Sequence, residues 1–254
     1  MTLDIRMLLK GCGRRLGNES ILQNIGVVSV DMFQTLVNVD TRKHPFWQQV
    51  LGENYTKEQA EVYWSQLKAF LYGEYGELFS KNLDFIKARS VAERSFAKLF
   101  DHLGLKLDPT YAADVFVKEH GLATPFADTV QFLQEVGKLY PICLVSDADE
   151  EMFGPLRELH PFDHIFTSEH MGGYKGSLSG DLFRGVVEHY GMAPESIVHI
   201  GDSYFDVLGA GRTGLISCWL NRFDKPWEHE VKPHRVVTSL TEAGLLLGVG
   251  AVDS

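Results

Sequence analysis

The sequence predicts a doubly wound α/β fold, a parallel sheet with helices on both faces, carrying one inserted block of helices. Three observations carry this. A short β-branched run, IGVVSVD at residues 25–31, ends on an acid and reads as a buried parallel strand. From residue 126 onward, strand-like and helix-like segments alternate regularly. Between them, from about residue 42 to 125, apolar residues recur at helical spacing and no convincing strand interrupts them. The α/β core is therefore expected from residues 1–41 and 126–254, with a helical cap domain over 42–125.

Residues 1–24 form a short lead-in with some helical character and no functional reading. In the cap, KEQAEVYWSQLKAFLYGEYGELF and NLDFIKARSVAERSFAKLFDHLGL have helical periodicity. Asp108-Pro109 opens a further helix, with Gly121 as its stop. Three to five cap helices are expected. After the cap, FADTVQFLQEVGKLY is a helix and PICLVSD a strand; a helix near EEMFGPLREL leads to the strand-like HIFTSE. GDLFRGVVEHYG is a helix, SIVHIGD a strand, DVLGAGRTG a helix start, and ISCWL and RVVTS two further strands. Hinges are expected near residues 40–42 and 124–127, where the pattern switches to pure helix and back.

The 254-residue length suits one large α/β domain with an insertion, and 44 % hydrophobic residues are enough to fill its core. A net charge of -10 repels nucleic acid and anionic membranes, so neither is an expected partner, and no segment reaches the length of a membrane span. The same charge repels phosphorylated substrates at long range, so a phosphate site must carry its own positive charge. Cys12, Cys143 and Cys218 fit neither a metal cluster nor a disulfide framework, and the N-terminus, broken early by Asp4 and Arg6, is a poor signal peptide. A reducing cytoplasm is the expected compartment. The ten histidines show no metal-ligand spacing. Oligomeric state is left open.

In an open parallel sheet the reactive crevice lies beyond the carboxyl ends of the strands. The first strand ends at Asp31, the second at Ser146-Asp147 and the fourth at Gly201-Asp202-Ser203, with Asp206 close behind. Clustered carboxylates repel, and a hard cation or raised pKa values restore balance. Mg²⁺ needs only one or two carboxylates, which Asp31 and Asp202 supply. Lys175, on the glycine-flanked loop after the third strand, is the candidate cation for a substrate's other oxygens. Singly, each has a plainer role: Asp31 and Asp206 as helix caps, Ser146 as a turn residue, Lys175 as a solvated lysine. Asp147 and Asp149 are expected to cap the next helix. Trp47, Trp64, Tyr63, Phe70 and Tyr75 read as packing rather than a ligand box, and Arg42 and His44 read equally as surface or substrate contacts.

Taken together, these residues resemble the haloacid dehalogenase-like superfamily. DMFQTL at 31–36 looks like its first motif, Ser146 after ICLV its second, Lys175 its third, and GDSYFD at 201–206 its fourth and most specific. The resemblance implies a Rossmann-like core and a nucleophilic Asp31 that forms an aspartyl-phosphate. It implies phosphate binding by Asp31, Ser146 and Lys175, aided by backbone N–H groups after Asp31. It further implies Mg²⁺ held by Asp31, the Phe33 carbonyl and Asp202, with Asp206 holding a metal-bound water or Lys175.

One position departs from the pattern. Phosphatases of the family usually carry a second Asp two residues after the nucleophile, to protonate the leaving group and then activate water. Here it is Phe33, which cannot transfer a proton. The haloacid dehalogenases often carry an aromatic there and use no metal, whereas GDSYFD keeps both acids. The expected activity is a Mg²⁺-dependent phosphatase or phosphotransferase acting on a small phosphorylated molecule, with a preference for good leaving groups. The alternatives are a metal-independent 2-haloacid dehalogenase and a phosphate-binding or interaction protein of decayed activity.

Overall fold

The structure, a computed structural model, describes residues 22–81 and 83–250; Cys12 and most of the lead-in lie outside the described residues. The first expected strand forms as β1 (Val27–Val30), buried along its whole length. It pairs in parallel with β4 (Ile142–Ser146) on one side and β6 (Ile197–Gly201) on the other. Beyond β4 lies β5 (His164–Thr167); beyond β6 lie β7 (Ile216–Leu220) and β8 (Arg235–Val237). The order β5-β4-β1-β6-β7-β8 is that of a doubly wound sheet, with all five strand pairs parallel. Because side chains alternate along a strand, the two faces part cleanly. Val28, Val30, Leu144 and Ile200 join one apolar cluster with α5 (Thr129–Val136) and α9 (Leu240–Leu246). Val27, Cys143, Val145 and Ile197 join another with α7 (Asp181–Tyr190) and Ala210 of α8 (Tyr204–Arg212).

Four helices fill the block between the first two sheet strands: α1 (Lys43–Leu51), α2 (Lys57–Ser80), α3 (Ala88–Leu103) and α4 (Pro109–His120). Thr56 caps α2 by accepting the Gln59 N–H, and Asp108 caps α4 ahead of Pro109. Gly121 does end α4, but with φ -63° it needs no left-handed turn. Its lack of a side chain answers a close approach instead: a Cβ there would lie 3.3 Å from the Met152 carbonyl.

One local expectation is corrected. Residues 150–159 do not form an α-helix but two 3₁₀ turns, Glu150–Met152 and Gly154–Glu158. Gly154 between them sits at φ +46°, and Pro155 follows without an N–H to donate. The passage out to the helices and the passage back run side by side. β2 (Val37–Asn38) and β3 (Thr124–Pro125) pair antiparallel there, so the outgoing and returning chains are tied together. No helix among the described residues is long and apolar enough to cross a membrane.

Candidate active site

The strand order explains the site. β4, β1 and β6 are neighbours, so their carboxyl ends deliver Ser146, Asp31 and Asp202 side by side. Lys175 arrives from the turn that follows α6 (Ser168–Met171), and Asp206 from the first turn of α8. All five line one cavity of about 210 Å³.

Asp31 is 5 % exposed, and its backbone N–H donates to the Ile200 carbonyl at 2.9 Å. Its Oδ1 accepts from Lys175 Nζ at 2.6 Å and from Ser146 Oγ at 3.3 Å. No described residue donates to its Oδ2. Lys175 Nζ also donates to Asp206 Oδ1 at 2.6 Å. Asp206 is saturated: Oδ1 also accepts from His199 Nε2 at 2.9 Å, and Oδ2 accepts from the Ser203 N–H at 2.9 Å and Ser203 Oγ at 2.6 Å. Behind it, His199 Nδ1 meets Ser29 Oγ at 2.8 Å, so a buried polar chain runs Ser29–His199–Asp206–Lys175–Asp31.

These contacts set the charges. Burial alone would depress the Lys175 ammonium, but Asp206 and Asp31 outweigh it and hold it protonated. Burial would likewise raise Asp206, but Lys175 and the His199 hydrogen bond hold its carboxyl far below the usual range. Asp31 is pushed up by burial, against the pull of Lys175. Asp202 is pushed well up by burial and by the charges of Asp31 and Asp206.

Asp31, Asp202 and Asp206 each offer an oxygen, all within 4.8 Å of one another, against a single ammonium. That surplus of negative charge and an all-oxygen donor set fit a hard divalent cation such as Mg²⁺. Since Asp206 is saturated by protein donors and holds Lys175, Asp31 and Asp202 are the carboxylates that would be left for such a cation. Phe33 can offer only its backbone carbonyl; its ring turns to Phe153 and to His120.

Asp147 does not cap the helix expected after it; Asp149 stands at the N-cap of the 3₁₀ turn Glu150–Met152, and its carboxylate reaches the cap domain. Asp147 lines the cavity, and its Oδ1 accepts the Lys175 backbone N–H at 2.9 Å; burial pushes its carboxyl up to about 7 against the charge of Lys175. Asp149 accepts the Ala88 and Arg89 N–H groups, both at 2.8 Å, and so caps cap helix α3 from the core. Arg42 and His44 do not line the cavity: Arg42 pairs with the buried Glu119 at 2.7 Å, and His44 with Glu61 at 3.2 Å and Tyr55. Of the expected packing aromatics, Trp47 is fully buried, while Trp64 and Tyr75 line the cavity.

The cap contributes Leu67, Leu71, Tyr72, Phe116 and His120 to the lining, making the roof of the cavity largely apolar. Gln34 also lines it, at φ +65°, a conformation that costs a residue with a side chain roughly 1–2 kcal/mol. Its Oε1 is buried with no partner, while its side chain hydrogen-bonds Asp40. Burial would raise Asp40, but hydrogen bonds from Trp64, Lys68 and Gln34 with the charge of Lys68 hold it below its usual value. His120 carries no motif signal, and only the folded chain brings it to the cavity of Asp31; Gln34 stands inside the DMFQTL motif, three residues after Asp31.

Comparison with known proteins follows the same lines. A sequence model of haloacid dehalogenase-like hydrolases matches residues 25–214. (S)-2-haloacid dehalogenase 4A of Burkholderia cepacia is 24 % identical over 204 residues, covering 78 % of this chain and 82 % of that protein. The magnesium-bound HAD hydrolase YfnB of Bacillus subtilis superposes with a TM-score of 0.75 at 19 % identity, over 89 % of this chain and 99 % of the other. L-2-haloacid dehalogenase of Xanthobacter autotrophicus superposes with a TM-score of 0.73 at 18 % identity, over 90 % and 100 %. At these identities the structural likenesses establish the fold.

Proposed function

The chain belongs to the haloacid dehalogenase-like hydrolase family, and from that premise we propose that it hydrolyses a small phosphorylated molecule through a covalent ester on Asp31, with Mg²⁺ as cofactor. The observation that carries the reading is the half-clamped carboxylate. Lys175 and Ser146 fix Oδ1, and Oδ2 meets no protein donor at the base of the cavity. A nucleophile oriented in this way needs little reorganisation before attack.

Each group then has a task. Asp31 Oδ2 attacks phosphorus, and the bond to the leaving group breaks. Lys175, kept protonated by Asp206, and the Ser146 hydroxyl bind phosphate oxygens as charge builds on them. Asp202 and Asp31 would hold Mg²⁺, which when bound offsets the repulsion between anionic carboxylate and anionic phosphate. Water then cleaves the ester and restores Asp31. The apolar roof from Leu67, Leu71, Tyr72 and Phe116 excludes bulk water and favours a substrate with an apolar or aromatic body.

A second reading, metal-independent dehalogenation of a 2-haloacid, is the one the similar proteins favour. The curated relative is a 2-haloacid dehalogenase, and a halide leaves without a proton, so Phe33 is no handicap there. A haloacid is an anion as a phosphate is, so the paired lysines of the cavity, Lys175 with Asp31 and Asp206 and Lys68 with Asp40, do not separate the readings; the cluster of Asp31, Asp202 and Asp206, which fits a divalent cation, is what supports the first.

Turnover of aryl phosphates, alkyl phosphates and 2-haloacids, with Mg²⁺ and with a chelator, tests the two. Phosphate release that needs Mg²⁺ is expected, and Asp31→Asn should abolish it while the fold survives. Halide release indifferent to chelation would establish the second reading in its place. Turnover near wild type in a folded Asp31→Asn variant would overturn both.

A further inference from the structure

Phe33 leaves a chemical need unmet. A covalent Asp31 ester must be cleaved by water, and the residue two positions after the nucleophile cannot accept a proton. The ring of Phe33 is not isolated, however. It packs against Phe153 at 5.7 Å and meets His120, at the C-terminal end of α4, edge-on at 5.0 Å and 77°. His120 thus reaches down from the cap onto position 33, and it lines the same cavity as Asp31.

The hydrogen bonding of His120 fixes what it can do there. Its Nδ1 lies 2.8 Å from the Phe116 carbonyl, which can only accept, so Nδ1 carries the proton. In a neutral imidazole Nε2 is then a free lone pair, and no described residue donates to it. The ring is also held in place. Phe116 packs on it at 4.0 Å, and the adjacent Glu119 is pinned by Arg42 and by Gln49.

We propose that His120 is the general base of the second half-reaction, taking the proton from the water that cleaves the covalent Asp31 ester. The proposal rests on Asp31 as nucleophile. In the step itself, water oxygen forms a bond to phosphorus and its proton passes to His120 Nε2. The bond from phosphorus to the Asp31 oxygen breaks, its electron pair returns to the carboxylate, and the imidazolium then releases the proton to solvent. With the Nδ1 proton donated to the Phe116 carbonyl and Nε2 bare, the neutral ring is a base and not an acid. It therefore gives no proton to the leaving group, and the first half-reaction stays restricted to groups that leave without one. Of the cavity's other carboxylates, Asp206 is saturated, Asp147 holds the Lys175 backbone N–H through Oδ1, and Asp202 is assigned to the metal, so Asp147 is the rival base that the test must separate from His120.

The test uses the full chain with 4-nitrophenyl phosphate and Mg²⁺, following the nitrophenol burst, the steady state, and the covalent adduct by intact mass after acid quench. His120→Gln should keep the burst, lose about 10²–10³-fold in steady-state turnover, and accumulate the adduct. Imidazole should restore turnover to His120→Ala, whose cavity admits it, and not to His120→Gln. An adduct that accumulates in Asp147→Asn but not in His120→Gln would overturn the proposal, as would burst and steady state falling together. An adduct on Asp31 that decays equally fast in wild type and both His120 variants would sink the role of His120 alone. Absence of any adduct, with turnover surviving Asp31→Asn, would sink the nucleophile as well.

Discussion

At the scale of single residues, the charge pattern of the site separates Asp202 from Asp206. Asp206 is bound by four protein donors, whereas no described residue donates to the Asp202 carboxylate, which burial and its neighbours push well up. Asp206→Ala should therefore destabilise the metal-free protein by about 3–5 kcal/mol, the cost of leaving a buried partner unpaired. Asp202→Ala should leave metal-free stability equal or higher and remove the rise in melting temperature that Mg²⁺ produces. Thermal melts of the two variants with and without Mg²⁺ check this, and reversed behaviour would exchange their roles. His120 carries a pH prediction of its own. Its folded pKa of about 4 lies below its usual 6.5. Between those values the unfolded chain takes up a proton that the folded chain refuses, so stability falls as pH drops through that window. At about 1.4 kcal/mol per pH unit the loss is about 3 kcal/mol. Urea unfolding at pH 7.5 and pH 4 should show a loss smaller by that amount in His120→Gln than in wild type; equal losses would refute it. These residues also mark what the sequence displays. Asp31, Ser146, Lys175, Asp202 and Asp206 stand at strand ends or in motif spacing and can be read in order. His120 looks like any helix-end histidine, because what distinguishes it is a neighbour far away in the chain.

At the scale of elements, helix α8 and the Lys175 turn show how tightly the cavity's charged residues are mounted. Gly209 faces that turn: a Cβ there would lie 2.1 Å from the Lys175 carbonyl and 2.6 Å from the Phe183 ring. Backbone cannot yield as a flexible side chain does, so Gly209→Ala must push the turn, and with it the ammonium, away from Asp31. Helix propensity favours Ala by up to about 1 kcal/mol, but overpacking costs about 1–3 kcal/mol and sets the sign. The variant should unfold at lower urea and lose turnover more than binding. A Gly209→Ala protein of wild-type stability and activity would show that the turn can move freely. Regular elements were legible because period 2 and period 3.6 leave repeated marks in the chain. The 150–158 stretch was misread because its apolar residues have helical spacing, while Gly154 and Pro155 force two short turns. β2 and β3 are two residues each, too short to leave a pattern, and only their pairing makes them strands.

At the scale of the whole molecule, the switch from α/β alternation to pure helix suggests two bodies moving about hinges, and the packing opposes that. One apolar cluster runs without a break from Phe46, Trp47, Phe96 and Phe116 of the cap, through Met32, Leu36 and Phe153, to Leu144 and Ile200 of the sheet. The far side of the cap is fastened too. The Tyr174 hydroxyl bonds both the N–H and the carbonyl of Ile86, Asp149 caps α3, Lys87 pairs with Glu169, and Phe79 meets the Phe205 ring at 4.6 Å. Opening the cap would expose these aromatic faces, each large ring carrying roughly 1.5–3 kcal/mol of burial. On the face they share, both parts draw on that one cluster, so both should unfold together. Calorimetry should give a single transition whose van't Hoff and calorimetric enthalpies agree. Hydrogen exchange should give α2 and α3 the same opening free energy as β1 and β6, since slow amides in both would need global unfolding. Two resolved heat-absorption peaks, or cap helices that exchange well before the sheet, would show instead that the cap lifts as a separate body and that the cavity opens by its motion.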